Sequence, residues 1–498
     1  FVGDQIVMRD DYVAVHGSVT FGLAVLVGGV LASRVVRLYR RVEASPRGRR
    51  ALVGLAAFGA FGVLFPPPDR LRVELYRDPC TFAPWVLASS IWRAPQPAPG
   101  TPAPTSPWYG PPSARAEQPP TSPPLVTKPP VVVLVTIDAT RAEAVLDPKN
   151  ERHFPLLSRL RATGTTFTNA TAPGSQTAVS LSTLFSGKLF TELRWAFYGV
   201  GIMRFHYPAE DAAVRFPAIL TEHGVHTAAI SSVNFQGEDY GVVRGFEDHR
   251  VIPKGRQHAY ARQIIDPALD VLKHAGDGPT FLYFHLMEPH APYDRGRRTG
   301  TPYERYVSEI GVADRELARV VRLVDQKFAD RAVVIVSADH GEAFGEHQTT
   351  DHSKTLYQEL LHVPLIVRTP DHTKRVVEQR VTLTDLGPTI LDIFGLPTPP
   401  SFAGQSLVPL LQGRDVTLDR PVLAEGRLRR ALIRPDGIKV IDDPRRKIVE
   451  VYDLVKDPRE LDDVFGLDPR GDAALLALRT FFANNDVRDP SYSPPYKP

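Results

Sequence analysis

The sequence predicts an α/β protein built around a mostly parallel sheet flanked by helices. Three apolar runs rich in β-branched or aromatic residues carry this prediction: 131–137, 279–284 and 333–336. Each run is followed within three residues by a carboxylate or an imidazole. Because ligands bind at the carboxyl ends of strands in open α/β sheets, we expect these polar residues to form a site there.

Ahead of these strands, we expect two transmembrane helices. Segments 17–33 and 51–68 are apolar and uncharged, and their lengths are at the lower limit for a membrane span. Residues 34–50, between them, carry seven arginines and one glutamate, which favours a cytoplasmic loop. The chain would then be held in the inner (plasma) membrane, with its main domain periplasmic or extracellular. A buried hairpin in a soluble protein is the alternative.

A linker is predicted between the membrane region and the sheet. Residues 94–130 include fourteen prolines, which is typical of a semi-rigid extended tether. The predicted organisation is therefore a membrane region over 1–68, an interfacial segment over 69–93, the tether, a main domain over 131–480 and a tail over 481–498. A small C-terminal α+β subdomain completes the predicted fold.

The strand ends supply metal-ligand types. Asp138 follows the run 131–137, where a buried carboxylate is costly unless it is paired or bound to a metal. Asp339 and His340 follow the run 333–336, and His352 comes twelve residues later. Carboxylate oxygen beside imidazole nitrogen suits Zn²⁺ or Mn²⁺, with Ca²⁺ or Mg²⁺ as alternatives. A structural hydrogen-bonded Asp-His pair is the other interpretation.

Two further segments also contain candidate site residues. The run 279–284 leads into His285–Tyr293, which contains His290. Residues 169–187 read as a Gly/Pro-containing turn that enters a helix of small and apolar residues. The amino end of such a helix favours an oxyanion, and a hydroxyl there that binds a metal becomes a nucleophile. An ordinary Ser/Thr helix cap is the alternative.

The order of these motifs resembles the alkaline phosphatase/sulfatase superfamily: Asp138, a Ser/Thr helix start, His-x-x-x-x-His-x-Pro-Tyr, Asp-His-Gly-Glu, then His352. Segments 382–407 and 451–460 resemble it as well, so the resemblance covers roughly 131–480. In this superfamily the nucleophile lies nine residues before a Ser/Thr-Gly pair. Here that position is Thr177, and the implied fold is alkaline-phosphatase-like.

Sulfatases proper use a Cys or Ser oxidised to formylglycine and followed by x-Pro-Ser-Arg. This chain reads Thr-Ala-Val-Ser-Leu from Thr177, and its single cysteine, Cys80, lies far outside the domain. The run instead resembles membrane phosphoethanolamine transferases, and more loosely lipoteichoic acid synthases, which use a Thr nucleophile. The phosphoethanolamine transferases carry Glu where this chain has Asp138.

By this resemblance one Zn²⁺ or Mn²⁺ would be held by four residues: Asp138, Thr177, Asp339 and His340. His290 and His352 would contact the phosphoryl group or a second metal. Residues expected in supporting or structural roles are Glu342, Glu346, His347, Arg141, Asn169 and His362.

The resemblance implies a membrane-anchored, metal-dependent hydrolase or phosphotransferase that acts through Thr177. Its expected partners are the lipid bilayer and a phosphorylated lipid or envelope polymer. One alternative is a sulfuric ester hydrolase without formylglycine, and another is a catalytically degenerate domain that binds an envelope glycan or a partner protein. The net charge of +3 and the placement of the arginine cluster between the two predicted spans give no nucleic-acid footprint.

Overall fold

The computed structural model describes residues 94–198, 205–253, 258–353, 355–426 and 428–494. The chain divides into a large unit, comprising 97–196, 206–442 and 451–498, and a second unit, comprising 1–96, 197–205 and 443–450. The predicted spans 17–33 and 51–68 and the interfacial segment 69–93 lie outside the described residues. Within the described part of the chain, no helix has both the length and the apolar character that crossing a bilayer requires.

A nine-stranded mixed sheet forms the centre of the large unit. The strands of all sheets in the described residues are β1 Val131–Ile137, β2 Thr165–Thr171, β3 Ala196–Tyr198, β4 Phe205–Tyr207, β5 His226–Ser231, β6 Asp248–Val251, β7 Thr280–Leu286, β8 Ala332–Ser337, β9 Ala343–Phe344, β10 Thr350–Asp351, β11 His362–Arg368, β12 Arg375–Val377, β13 Val381–Thr382, β14 Val422–Glu425, β15 Arg430–Ile433, β16 Ile438–Asp443 and β17 Ile448–Asp453. The central order is β12-β2-β11-β8-β1-β7-β5-β6, with β13 beside β2. β11 runs antiparallel to β2 and β8, whereas the other pairings of this sheet are parallel. The predicted α/β class is confirmed.

Helices cover both faces of this sheet. They are α1 Ala142–Leu146, α2 Pro155–Ala162, α3 Thr177–Ser186, α4 Phe216–Glu222, α5 Ala261–His274, α6 Pro302–Lys327, α7 Gln358–Leu361, α8 Leu386–Ile393, α9 Val408–Leu411 and α10 Pro469–Asn485. Alternate residues of β1 point to opposite faces: Val132 and Leu134 join the core formed with α3, α4 and α8, while Val133 and Val135 join that formed with α2, α5 and α6. This double coverage explains why the central strands are apolar on both faces.

The C-terminal part contains the predicted α+β subdomain. Strands β14 to β17 form a second sheet in sequence order, and α10 packs against β15. α10 continues past the predicted boundary at 480 to Asn485 and buries Phe481 and Phe482. Beyond the helix, the amide of Val487 donates to the carbonyl of Thr191 at 3.0 Å. The domain therefore extends into the predicted tail.

The proline-rich segment differs from the predicted free tether, since from residue 97 it belongs to the large unit. Thr121 donates to the Asp392 carboxylate through its amide and its hydroxyl, each at 2.6 Å. The Arg115 guanidinium donates to Asn485 at 2.7 Å and is 7% exposed. A proline-rich chain builds no core of its own, but this one supplies polar and aromatic groups that match partners distant in sequence.

Candidate active site

The carboxyl end of the central sheet brings the strand-end residues together. β1 lies between β7 and β8, so Asp138, which follows β1, is adjacent to Asp339 and His340, which follow β8. Thr177 is the first residue of α3, on one face of the same sheet. Asp138, Asp339 and His340 are fully buried, and Thr177 is 7% exposed. Four residues from three segments that are distant in sequence thus form one buried cluster.

The Thr177 hydroxyl lies between a carboxylate and an imidazole. Its Oγ1 is 3.2 Å from Oδ1 of Asp138 and 3.2 Å from Nε2 of His340. Nδ1 of His340 is 2.8 Å from the carbonyl oxygen of Gly341, so in the neutral ring Nδ1 carries the proton and Nε2 presents a lone pair. The threonine oxygen therefore faces the two groups that are best suited to bind or remove its proton.

Gly341 sets the path of the chain behind His340. A Cβ added there would lie 2.1 Å from the carbonyl oxygen of Glu359, a distance that no side chain tolerates. The Gly341 amide donates to the carbonyl of Leu360 at 2.8 Å. The Asp-His-Gly-Glu motif thus needs glycine at this position, because the backbone at Glu359 leaves no room for a Cβ.

Three buried polar atoms in this cluster have no hydrogen-bond partner among the described residues: Oδ2 of Asp138, Nε2 of His285 and Oδ2 of Asp339. Ligand atoms of these three side chains lie within 4.8 Å of one another. Leaving a buried polar atom unpaired costs about 1–3 kcal/mol. A converging set of oxygen and nitrogen atoms without partners therefore fits a divalent cation.

The charge of the Asp138 carboxylate also suits a divalent cation. Burial acts to raise the pKa of the Asp138 carboxyl, but the imidazoles of His285, His290 and His340 outweigh it and hold that pKa below its ordinary value. The carboxylate therefore stays charged at neutral pH and available to a cation.

Ala139, next to Asp138, has a left-handed backbone with φ of 50°. Its amide lies 3.3 Å from Oδ1 of Asp339, and its carbonyl accepts from the Tyr306 hydroxyl at 2.9 Å. Such a conformation costs about 1 kcal/mol or more and is retained where the surroundings enforce it. Here those contacts fix the direction in which the Asp138 carboxylate points.

A row of imidazoles continues from the cluster. The ring centroids are 4.5 Å apart for His340 and His352, 5.5 Å for His352 and His290, and 4.8 Å for His290 and His258. Nδ1 of His290 is 2.8 Å from the carbonyl oxygen of Ala291. The two histidines predicted to contact substrate thus lie side by side, next to the residues predicted to bind metal.

Glu342 holds His352 in this row. Its Oε1 lies 3.1 Å from Nδ1 of His352, and its Oε2 accepts from the Tyr293 hydroxyl at 2.8 Å. Burial acts to lower the pKa of His352, but the Glu342 carboxylate outweighs it and raises that pKa to about 9. In His258 burial dominates, assisted by His290, and lowers the pKa to about 4. At neutral pH the row therefore contains a charged imidazole and a neutral one.

Other residues singled out by the sequence have structural partners. The Arg141 guanidinium donates to Glu346 at 2.8 Å. Nδ1 of His347 is 2.9 Å from Oε1 of Glu359, and its ring stacks on Tyr357 with centroids 3.8 Å apart. These contacts support the loop between Glu342 and His352 without joining the cluster.

Two more residues that the sequence singles out, His362 and Asn169, have their partners close to β2. Nε2 of His362 is 2.8 Å from the carbonyl oxygen of Thr168. The side-chain Nδ2 of Asn169 donates to the carbonyl of Glu378 at 2.7 Å. Both side chains thus bond to backbone carbonyls of neighbouring segments.

Two histidines of the site are given no role by the sequence. His285 stands one position before the end of β7, in register with Thr136 of β1; it opens the His-x-x-x-x-His-x-Pro-Tyr segment, in which the resemblance implies a role for His290 alone. His258 precedes α5 in a segment without a motif. Its position comes from tertiary packing, because Arg295 donates to the carbonyls of His258 and Ala259 at 3.1 and 2.9 Å.

Comparison with known proteins adds family information to this geometry. The family model described as Sulfatase matches residues 130–396, just over half of the chain. A Delta 4,5-hexuronate-2-O-sulfatase of Bacteroides thetaiotaomicron is 30% identical over 141 residues, covering 26% of this chain and 29% of that protein. The matched segments span only 15% to 31% of the curated relatives' lengths.

Solved structures extend the likeness across the fold. A protein of the alkaline phosphatase superfamily from Vibrio parahaemolyticus has a TM-score of 0.55 at 16% identity, covering 85% of this chain and 98% of that one. The phosphonate monoester hydrolase of Agrobacterium radiobacter has a TM-score of 0.54 at 17% identity, covering 72% and 96%. At such identities the likeness establishes a common fold.

Proposed function

The chain belongs to the sulfatase family, and from that premise we propose that it cleaves phosphate esters through Thr177, as a hydrolase or a phosphotransferase. The observation that carries the proposal is the position of the Thr177 hydroxyl, 3.2 Å from both Asp138 and His340 at the start of α3. The family membership supports ester hydrolysis in general, and the threonine favours phosphate over sulfate.

The metal-binding residues would be Asp138, Thr177, Asp339 and His340, as the family resemblance implies. When bound, a divalent cation neutralises charge on the ester and lowers the pKa of a coordinated hydroxyl. Two carboxylates with an imidazole favour Zn²⁺ or Mn²⁺ over Ca²⁺ or Mg²⁺.

Besides the cation, the reaction needs stabilisation of negative charge and a proton for the leaving oxygen, and groups of the chain itself can supply both. The positive amino end of α3, where Thr177 stands, stabilises negative charge on the oxygens of the transferred group. Thr177 Oγ1 gives its proton to Asp138 or His340, each 3.2 Å away, as it bonds to phosphorus and the bond to the leaving oxygen breaks. His352, charged through Glu342, is placed to donate a proton to that oxygen. Water or an acceptor alcohol then takes the phosphoryl group from Thr177.

Sulfate esters are the second candidate substrate class, favoured by the sulfatase relatives. A catalytically degenerate binding domain is less well supported. Its binding surface would have no need of the buried, unpaired atoms of Asp138, His285 and Asp339.

We also propose that the chain is anchored in the inner membrane with its catalytic domain outside the cytoplasm. The proposal is supported by the apolar segments 17–33 and 51–68 and the arginine-rich stretch between them. A phosphorylated lipid or an envelope polymer would then be the substrate. Membrane fractionation together with protease accessibility in spheroplasts tests this, and a fully soluble cytoplasmic chain would overturn it.

The deciding experiment uses the full chain loaded with Zn²⁺ or Mn²⁺. Turnover of bis-p-nitrophenyl phosphate is compared with that of p-nitrophenyl sulfate for the wild type, Thr177→Ala and Thr183→Val. Thr183 is the matched control, because it lies in α3 and its buried hydroxyl lacks a hydrogen-bond partner among the described residues.

Phosphodiester turnover lost only in Thr177→Ala, with a phosphorylated Thr177 seen by intact mass after quenching, is the expected result. Sulfate turnover that survives in Thr177→Ala would reject Thr177 as nucleophile and favour the sulfatase alternative.

A further inference from the structure

His285 is a buried histidine at the centre of the sheet that the proposed reaction does not use. It is fully buried in β7, with β1 and its Asp138 on one side. Tyr283, two residues earlier on the same face, packs edge-on against Phe185 of α3, with ring centroids 4.8 Å apart. The His285 side chain therefore lies on the face covered by the helix that begins with Thr177.

A pair of hydroxyls holds one nitrogen of this ring. Nδ1 of His285 is 2.7 Å from Oγ1 of Thr136, which is itself 2.9 Å from the Tyr283 hydroxyl. Because a threonine oxygen has two acceptor lone pairs, Thr136 can accept from both neighbours at once.

The other nitrogen points into the cluster. Nε2 of His285 is buried and has no hydrogen-bond partner among the described residues. Its nearest carboxylate oxygen, Oδ1 of Asp138, is 3.6 Å away, beyond hydrogen-bonding distance. The alternative role, an Nε2–H group that hydrogen-bonds Asp138, therefore has poor geometry.

We propose that His285 binds the divalent cation of this site through Nε2, and that Thr136 and Tyr283 are positioning residues that keep the ring proton on Nδ1. The inference rests on the metal centre of the proposed function. His285 is not among the four ligands that the family resemblance supplies.

A chemical consequence follows for the choice of metal. His285 adds a second imidazole to that of His340, beside the carboxylates of Asp138 and Asp339. Imidazole nitrogen favours Zn²⁺, Co²⁺ and related ions, whereas Ca²⁺ and Mg²⁺ prefer oxygen ligands. The site is therefore expected to select transition metals over Ca²⁺.

The test measures metal binding on the full chain. Zn²⁺ affinity is obtained by chelator competition and stoichiometry by elemental analysis, and the visible absorption spectrum of the Co²⁺-loaded protein reports the ligand set. The variants are His285→Gln, Thr136→Val and Tyr283→Phe. The matched control is His249→Gln, a partly buried histidine on β6 whose Nε2 lies 2.9 Å from Ser231 Oγ.

In His285→Gln we expect a changed Co²⁺ spectrum and a loss of Zn²⁺ affinity beyond the roughly 10–100-fold typical of losing a ligand's hydrogen-bond partner. Thr136→Val is expected to fall within that roughly 10–100-fold range, and Tyr283→Phe to lose less. Affinity for Ca²⁺ should change least, and His249→Gln should match the wild type.

Wild-type affinity and an unchanged Co²⁺ spectrum in His285→Gln would overturn the inference while leaving the metal centre intact. A wild-type protein that binds no metal would overturn both. If His285→Gln fails to fold, as seen by circular dichroism, Thr136→Val is the deciding variant. A Zn²⁺ affinity and Co²⁺ spectrum like those of the wild type in Thr136→Val would reject both the positioning role of Thr136 and the assignment of His285 as a ligand.

Discussion

Oε1 of Glu342 lies 3.1 Å from Nδ1 of His352, and this contact keeps a charged imidazole beside the Thr177 cluster. Glu342 is fully buried and is held in turn by the Tyr293 hydroxyl. The imidazolium therefore has a fixed orientation as well as a fixed charge. Both properties are needed in a group that donates a proton to a leaving oxygen.

Glu342→Gln is expected to move the alkaline limb of the rate profile to lower pH. Glu342 is the main influence that raises the pKa of His352 to about 9, against the lowering effect of burial. A proton donor loses activity as pH rises through its pKa, so a lower pKa brings that loss at lower pH. We expect kcat/KM at pH 8 to fall about 10²-fold.

The measurement is kcat/KM from pH 6 to 10 for the wild type and the variant. Glu143→Gln serves as control, since Glu143 is 66% exposed and pairs with Arg141 at 3.0 Å. An alkaline limb that stays in place in Glu342→Gln would exclude His352 as the proton donor.

Gly341→Ala is expected to destabilise the protein and to lower activity together. The added Cβ would meet the carbonyl oxygen of Glu359 at 2.1 Å, so the backbone behind His340 must shift. Overpacking of this kind costs about 1–3 kcal/mol. Urea unfolding gives the free-energy change, and Gly276→Ala, where a Cβ has no atom within 4 Å, is the control. Equal stability of the two variants would contradict the close approach.

The parts of the fold that could be predicted are those whose signal is local. The runs at 131–137 and 333–336 are buried on both faces and end at Asp138 and Asp339, so strand and site are read from one stretch of sequence. The buried apolar residues of α6, such as Tyr306, Ile310 and Leu317, likewise recur at helical spacing. An apolar run looks the same in either direction, however, and the antiparallel orientation of β11 is not visible in its residues.

The parts that could not be predicted depend on partners far apart in sequence. His258 reaches the imidazole row because Arg295 fixes its backbone, and no motif links the two. The proline-rich segment docks through Thr121 on Asp392, a pairing that composition cannot reveal. His285 is the intermediate case, visible as a histidine in an apolar strand but without a role until its unpaired nitrogen is seen.

Breaking the buried ion pair between Asp385 and Arg420 is expected to destabilise the fold without changing metal content. Nε of Arg420 donates to Asp385 Oδ1 at 2.8 Å, and Asp385 also accepts from the amides of Thr382 and Gln405. Removing one charge leaves the other buried and unpaired, at about 3–5 kcal/mol.

Asp385→Asn, Arg420→Met and the double variant are compared by urea unfolding. We expect the double variant to lose less stability than the two single losses added together, because it leaves no buried charge unpaired. Strictly additive losses would show that the two side chains do not act as a pair.

Glu192 is expected to make the stability of the wild type decline between about pH 4.5 and 7. It is 7% exposed, and burial raises its pKa to about 7 although the Leu189 amide donates to it at 2.8 Å. The folded protein then binds the Glu192 proton more tightly than the unfolded chain does. Stability falls as pH rises from the unfolded pKa, about 4.5, to the folded one, and this contribution is constant above it.

Glu192→Gln removes this dependence, because glutamine stays neutral and its carbonyl can still accept from Leu189. Relative to the wild type, the variant should therefore gain about 1–3 kcal/mol of unfolding free energy on going from pH 5 to pH 8. Urea unfolding at the two pH values measures the gain, with the exposed Glu222→Gln as control. A difference between wild type and Glu192→Gln that is the same at both pH values would mean that Glu192 is charged in the folded protein. The local positive charge of Arg115 would then outweigh burial in setting its ionisation.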